Sequence, residues 1–341
     1  MDTKEFGALV RDLRLSLKWS RLDHENDFTQ KELAEEAGIP FTRLGKIERG
    51  ETRPTADDLI RLADTFGLTR QERVEFFALA NSVPVEEIYK CRPLGGRTDE
   101  KQPKQPTPTE EIQRIKSKLD QIRLPLFVTD PFSDIVLYNE IVERLYRIPR
   151  EWGERPDEYG ILPNVVFLML SHHVRMRERM IDHHMWEETA ISNMQFFRRA
   201  SMEVRSTRYW KYIYEQFRTH KEIGRSFQRY WHEAAMHDYL DSNIGRNYWL
   251  RLPVDARLRS EFGDELSILY VSSTIEEITC YERLYVTIYL PQDKQTARYF
   301  ESLARISSFG EGSPIRFRSY SKWTLSDKEA LVPRSWRPKQ R

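Results

Sequence analysis

The chain has 341 residues, with 54 Lys or Arg against 53 Asp or Glu, a formal charge of +1, and only two cysteines, Cys91 and Cys280. That length holds two domains or a little more, and the near-neutral balance excludes the global basic field by which many nucleic-acid binders draw in their partner. Two cysteines exclude a disulfide framework, and no apolar run approaches the ~18 residues of a membrane span, so a cytoplasmic protein with no membrane insertion is expected.

Phe6, Val10, Leu13 and Leu17 recur at helical spacing and predict an opening amphipathic helix. Thr29 to Gly50 then reads TQKELAEEAGIPFTRLGKIERG, two short helices around a glycine. Thr29 caps the first and Glu32 completes a capping box, with Leu33, Ala34 and Ala37 turned inward. Gly38 permits the tight turn between them. The second helix runs from about Pro40 to Arg49, with Leu44 and Ile47 inward and Phe41, Thr42, Arg43 and Lys46 outward. Leu59, Leu62, Ala63 and Phe66 predict another helix between Thr55 and Gly67, and a last one spans about Arg70 to Leu79. Residues 1–83 are thus expected to form an all-α unit of five helices.

The outward residues of the second helix lie where a recognition helix meets the major groove. Arg43 and Lys46 suit guanine edges or phosphates, and Phe41 and Thr42 suit a thymine methyl. Thr29 and Gln30, at the positive end of the preceding helix, and Arg53, just past Gly50, are the candidate backbone contacts to a double-stranded DNA operator. Residues 1–83 carry 13 Lys or Arg against 16 Asp or Glu, so binding must come from a local face and is expected to weaken with salt. TQKELAEEAGI and GKIERGETRPTADDLIRLADTFGL, with their spacing, resemble the lambda-Cro and repressor type of helix-turn-helix, the XRE family, over about residues 3 to 80. Two departures stand out: the longer loop from Ser20 to Phe28, and Pro40 where the family commonly has serine or threonine. Base preference therefore does not carry over.

Arg92 to Thr109, RPLGGRTDEKQPKQPTPT, holds four prolines and two glycines and marks residues 84–109 as a mobile or extended linker. Thr109 is expected to cap a helix with Ile112, Ile115, Leu119 and Ile122 on one face. LPLFVTDPFSDIVLYN predicts strands at Leu126 to Thr129 and Ile135 to Tyr138, before a short helix from about Glu140 to Tyr146. Four helices follow, at about Pro163 to Met185, Glu187 to Arg205, Thr207 to His220 and Glu222 to His237. Three more strands are expected near Tyr248 to Pro253, Glu265 to Ser272 and Arg283 to Pro291, then a helix from Lys294 to Ile306. This is an α+β unit with an antiparallel sheet over residues 110–310. From Gly312 on there are 8 basic residues against 2 acidic, and residues 311–341 are expected to be a solvated basic tail.

The LPLFVTDPFSDIVLYNE opening, FRRAS at Phe197, SFQRYWHE at Ser226 and the closing YVTIYLPQDKQTARYFESL resemble the MmyB-like ligand-binding domain, from about Leu124 to Ala304. The resemblance implies a PAS-like sheet with helices around an apolar cavity, in bacterial regulators that sense a fatty acid or another hydrophobic small molecule. Methionines and aromatics make an adaptable wall, and Met176, Met180, Met194, Phe197, Phe227 and Trp231 are the candidate ligand contacts. Plain core packing is the competing reading of each.

Other chemistry is sparse. The histidines of His232 to His237, HEAAMH, are five apart, whereas zinc-protease chemistry needs them four apart on one helix face. The pairs His172 and His173, and His183 and His184, flank Met176 and Met180 and leave a haem or metal sensor as a third reading, which needs a histidine from another helix. No serine elbow or phosphate-cradling loop occurs, so no catalytic residue, metal or cofactor is expected beyond a fatty acid or similar apolar ligand. The reading that results is a homodimeric, ligand-responsive regulator on a near-palindromic operator, associated with the nucleoid when bound. The alternative is a constitutive repressor whose large domain only dimerises or binds a protein.

Overall fold

The structure is a computed structural model and describes residues 3–20, 28–80, 107–148, 164–172, 174–205, 207–236, 247–278, 283–308, 314–319 and 324–336. The N-terminal head is the expected set of five helices: α1 (Thr3–Ser20), α2 (Gln30–Ala37), α3 (Phe41–Glu48), α4 (Ala56–Thr65) and α5 (Arg70–Ala80). Local chemistry sets their ends. Thr29 and Glu32 form a capping box on α2, Thr55 and Asp58 form another on α4, and Gly38 closes α2 in the left-handed region at φ 62°. Gly50 also has positive φ, and a Cβ there would lie 2.5 Å from the Lys4 Cα, so only glycine lets the end of α3 approach α1 this closely. Phe6, Val10, Leu13, Leu33, Leu44, Ile47, Leu62 and Phe76 fill the core between the five helices.

Most of the expected linker, residues 84–106, lies outside the described residues. Its last three positions are not linker. Thr107, rather than Thr109, caps α6 (Pro108–Leu119), with Pro108 in the first turn and Glu110 completing the box. Threonine at 107 has an acidic residue three positions on, whereas Thr109 is followed there by Ile112.

The C-terminal domain is built on β1 (Leu126–Thr129), β2 (Ile135–Asn139), β3 (Asn247–Pro253), β4 (Glu265–Ile278), β5 (Arg283–Pro291) and β6 (Phe317–Ser319). They form one six-stranded antiparallel sheet in the order β3-β4-β5-β1-β2-β6. Asn139 ends β2 and caps α7 (Glu140–Tyr146) with its side chain. The two long helices expected over 163–205 are instead three: α8 (Val165–Leu170), α9 (Met176–Arg179) and α10 (His183–Ala200). Ser171 is extended, Arg175 is left-handed at φ 53°, and Met180 leaves the helix to bridge Leu250 of β3. A tertiary strand contact thus overrides a periodicity that looked continuous. After a 3₁₀ turn (Met202–Val204) come α11 (Arg208–Thr219) and α12 (Gly224–Met236), near their expected places, then the unexpected short α13 (Arg259–Phe262) and the expected α14 (Lys294–Ser307).

The basic tail reading fails for residues 314–319 and 324–336. Strand β6 pairs with β2 through Leu137, Tyr138 and Asn139, and α15 (Leu325–Leu331) buries Lys328 against Asp130 and Asp134. These charges looked solvated because their partners lie nearly two hundred positions upstream. Around the sheet, α6 covers the outer face with Ile112 and Ile115 over Val128, Val136 and Val286. The remaining helices cover the inner face through an aromatic core centred on Trp210, Tyr214, Phe227 and Trp231.

Candidate functional site

Helix α3 presents Phe41, Thr42 and Lys46 to solvent, with Phe41 54% exposed despite its size. Arg53 is exposed just beyond. The other candidate contacts are already engaged. The Thr29 hydroxyl accepts the Glu32 amide at 3.2 Å as the cap of α2. Gln30 Nε2 donates to Glu48 Oε2 at 2.9 Å, and Glu48 in turn takes Arg14 Nε at 2.7 Å. This chain of bonds ties α1, α2 and α3 together. Arg43 is the main departure from the sequence reading. Its Nε and Nη2 donate to Asp58 at 3.1 and 2.6 Å, so the guanidinium bridges α3 to the capped start of α4. Burial raises the Asp58 carboxyl, but Arg43 and the Thr55 cap outweigh it and lower its pKa. Among the described residues, the candidate DNA contacts not bound within the head are therefore the three exposed residues of α3 and Arg53, and Arg43 is available only by leaving Asp58. Pro40 stands at the N-cap of α3 without a side-chain bond, and the first turn of that helix has no hydroxyl cap.

The second site is a cavity of about 110 Å³ against the inner face of the sheet. Val142, Ile148, Val166, Leu168, Met169 and Met176, from α7, α8, α9 and their flanks, form its apolar side, and Asn193 and Phe196 of α10 close it. The strands contribute a row of hydroxyls: Thr129 from β1, Ser272 and Thr274 from β4, and Thr287 from β5, with Thr274 and Thr287 bonded at 2.9 Å. Tyr146, Tyr248, Tyr270 and Tyr289 add a polar end, where the Tyr146 and Tyr270 hydroxyls lie 2.7 Å apart and the Tyr270 and Tyr289 rings stack at 4.4 Å. Burial pushes the Tyr146, Tyr270 and Tyr289 hydroxyls well above the usual tyrosine range, so they stay neutral. No lining residue carries a charge. The cavity therefore suits an apolar body with a neutral hydrogen-bonding edge, since an ion inside it would lose its water with no opposite charge in return.

Of the six residues proposed from sequence as ligand contacts, Met176 lines this cavity. Met180, Met194, Phe197, Phe227 and Trp231 do not. They pack in the aromatic core, where the Trp231 ring lies 6.0 Å from Phe197 and 5.9 Å from Phe227. Helical spacing does not separate the two groups: it reports which face is buried, and both a core and a cavity wall are buried faces. The cavity's hydroxyl row was legible at Thr287, which lies between the apolar Val286 and Ile288, but not at Ser272 and Thr274, where Ser273 intervenes and hides the alternation. A polar residue on the inward face of a strand is the signal that went unused.

The sequence matches a helix-turn-helix family over residues 10–73 and the MmyB-like transcription regulator ligand binding domain over residues 112–303. The chain belongs to the MmyB-like transcription regulators. It is a DNA-binding transcription regulator joined to a ligand-binding domain. The first match contains α2 and α3 whole, and the second contains every cavity-lining residue named above. No curated protein matches the chain.

Among the described residues no three His, Cys, Asp or Glu side chains are placed to hold a metal ion. His172 is exposed and pairs with Glu222 through Nδ1 at 2.6 Å. His173 and the side chains of His183 and His184 lie outside the described residues. No helix among them is long and apolar enough to cross a membrane.

Proposed function

We propose that this regulator binds a near-palindromic operator as a homodimer, and that a hydrophobic, fatty-acid-like small molecule in the sheet cavity sets its operator affinity. One recognition helix reads only a few base pairs, and two-fold pairing doubles the site. The observation that carries the ligand half is the uncharged cavity with one apolar side and one hydroxyl-lined side. The chemistry of such walls suits an acyl or similar body, for which the cavity must widen, while an ionised head belongs at the edge. Arg179, three positions after the cavity-lining Met176, has its Nη1 buried without a hydrogen-bond partner and lies near enough to Tyr146 to interact electrostatically. We assign it to a carboxylate at that edge. The ligand acts by binding two states of the dimer unequally.

The small volume supports a second reading. At about 110 Å³ the cavity is smaller than an engineered cavity of roughly 150 Å³ that takes benzene, and a constitutive repressor with a nearly filled core has such a space. Native and then denaturing mass spectrometry of the purified protein decides between them. Release of a fatty acid or similar lipid, with operator affinity that changes on its removal, supports the sensor. Equal operator affinity with and without a proven ligand sinks it.

A further inference from the structure

The head is docked on the ligand-binding domain through buried charge. Glu72, in the first turn of α5, is completely buried. One of its oxygens accepts the Thr69 amide at 2.7 Å as the cap of its own helix. Its carboxylate also meets two arginines of the other domain: Arg205 pairs with it directly, and Arg198 Nη2 stands 3.5 Å away. Arg198 further donates to the Gly67 carbonyl of the head and to the Trp231 carbonyl of its own domain, both at 2.8 Å. Both guanidinium groups lie over the Trp231 ring, at 4.8 and 5.4 Å. Beside this cluster Met202, from the 3₁₀ turn after α10, is buried within the hydrophobic core of the head. Arg283 of β5 adds an outer contact, with Nη1 2.5 Å from Glu75 of α5 and Nη2 3.3 Å from Glu203.

This arrangement is a lock rather than a greasy contact. A buried carboxylate and two buried cations are stable only together, because separating them strands charge away from water. The head therefore has one docked geometry, and α3 stays exposed in it.

Helix α10, which carries Arg198, also reaches the cavity. Asn193 and Phe196 line it, and Phe196 packs edge-on against Tyr285 of β5 at 5.0 Å. Arg198 follows within one turn of α10, and Met202 and Arg205 come just after its end. At ~1.5 Å per residue, cavity wall and buried charge are separated by only a few ångströms of rigid helix.

We propose that Glu72, Arg198, Arg205 and Met202 form a latch that fixes the DNA-reading head on the ligand-binding domain, and that α10 carries the state of the cavity to this latch. The latch half stands on the interface alone; the transmission half rests on the cavity being the ligand site.

The test uses the full-length chain with Cys91→Ser and Cys280→Ser, spin-labelled at Ile60→Cys on the head and Met236→Cys on the ligand-binding domain, both exposed positions. With the labelled chain diluted in excess unlabelled chain, so that a homodimer carries one labelled copy, pulsed electron paramagnetic resonance should give one narrow distance distribution. Glu72→Gln with Met202→Ser should broaden it at least twofold, while glutamine still accepts the Thr69 amide and keeps α5 capped. Should that pair fail to fold, the reversal Arg283→Glu should broaden the distribution and Glu75→Arg added to it should restore the narrow one. A broad distribution without the latch substitutions, or an equally narrow one with them, overturns the latch.

For transmission, Ser272→Phe fills the cavity, with Thr274→Leu as the milder filling. Either should change hydrogen exchange of the α5 amides at least fivefold when the latch is intact and less than twofold when it is broken. Unchanged exchange in both backgrounds overturns transmission. The ligand reading fails separately, by the mass and operator measurements above.

Discussion

The head and the ligand-binding domain solve the burial of polar groups in opposite ways. In the head, caps act within one turn: Thr29 with Glu32, Thr55 with Asp58. The ion pairs that join its helices, Arg14 with Glu48 and Arg43 with Asp58, span 34 and 15 positions. In the ligand-binding domain Lys328 is buried against Asp130 and Asp134, Tyr209 donates to the same Asp134 at 2.6 Å, and Asn164 Nδ2 donates to its other oxygen at 2.8 Å. Arg316 reaches back to Glu140 at 2.7 Å across 176 positions. The head is held by neighbours in sequence, and the larger domain by charges gathered from its two ends.

The sharpest way to break that contrast is Lys328→Ala, which leaves Asp130 and Asp134 facing each other without water or a cation. Urea unfolding should show a loss of about 3–5 kcal/mol in the ligand-binding domain, and a loss under about 1 kcal/mol would mean the cluster is wet and dispensable. Trp231→Ala should cost roughly 3–5 kcal/mol as a core truncation, while Met176→Ala at the cavity wall should cost only about 1 kcal/mol. Equal losses would erase the distinction between core and cavity.

The docked interface should respond to acid. Burial alone would raise the Glu72 carboxyl, but Arg198 and Arg205, with the Thr69 cap, bring it from 4.5 down to about 2. A depressed carboxyl stabilises fully above the ordinary value and loses that contribution as pH falls from about 4.5 toward 2. Glu75 runs the other way, since burial raises it in spite of Arg283. Measured in a Glu75→Gln background, the narrow inter-domain distance should therefore hold at pH 5 to 8 and broaden progressively as pH falls from about 4.5 toward 2; a distance unchanged at pH 2 contradicts the Glu72 pairing. The smallest effects concern DNA. Lys46→Ala should weaken operator binding about tenfold, and Arg43→Ala should weaken it less, because Asp58 already holds that guanidinium. A larger loss for Arg43 in a fluorescence anisotropy titration would show that it leaves Asp58 to read DNA.

The head was legible nearly to the residue, because capping residues, a glycine turn and 3.6-residue periodicity all act over a few positions. Strands β1 and β5 were equally plain. What sequence reading lost was non-local. Met180 looks like the interior of a helix until Leu250 pairs with it, and Phe317 to Ser319 is too short and too basic to suggest a strand until β2 supplies the partner. For the candidate sites, the exposed face of α3 followed from helix geometry, while the pairing of Arg43 with Asp58 required knowing where α4 begins in space. Trp231 was recognised as buried, but burial alone does not say whether a ring meets ligand or other rings.

The distance along the chain between Asp134 and Lys328, 194 positions, also has a meaning in time. At ~5–20 residues per second of synthesis, about 10–40 s separate the emergence of the acidic turn from that of its lysine. The head draws little from that interval: apart from Met202, and from Arg198 and Arg205 against Glu72, its core is made by the first 80 residues. A growing chain thus carries nearly all of the operator-reading unit's core well before the part that would govern it is complete.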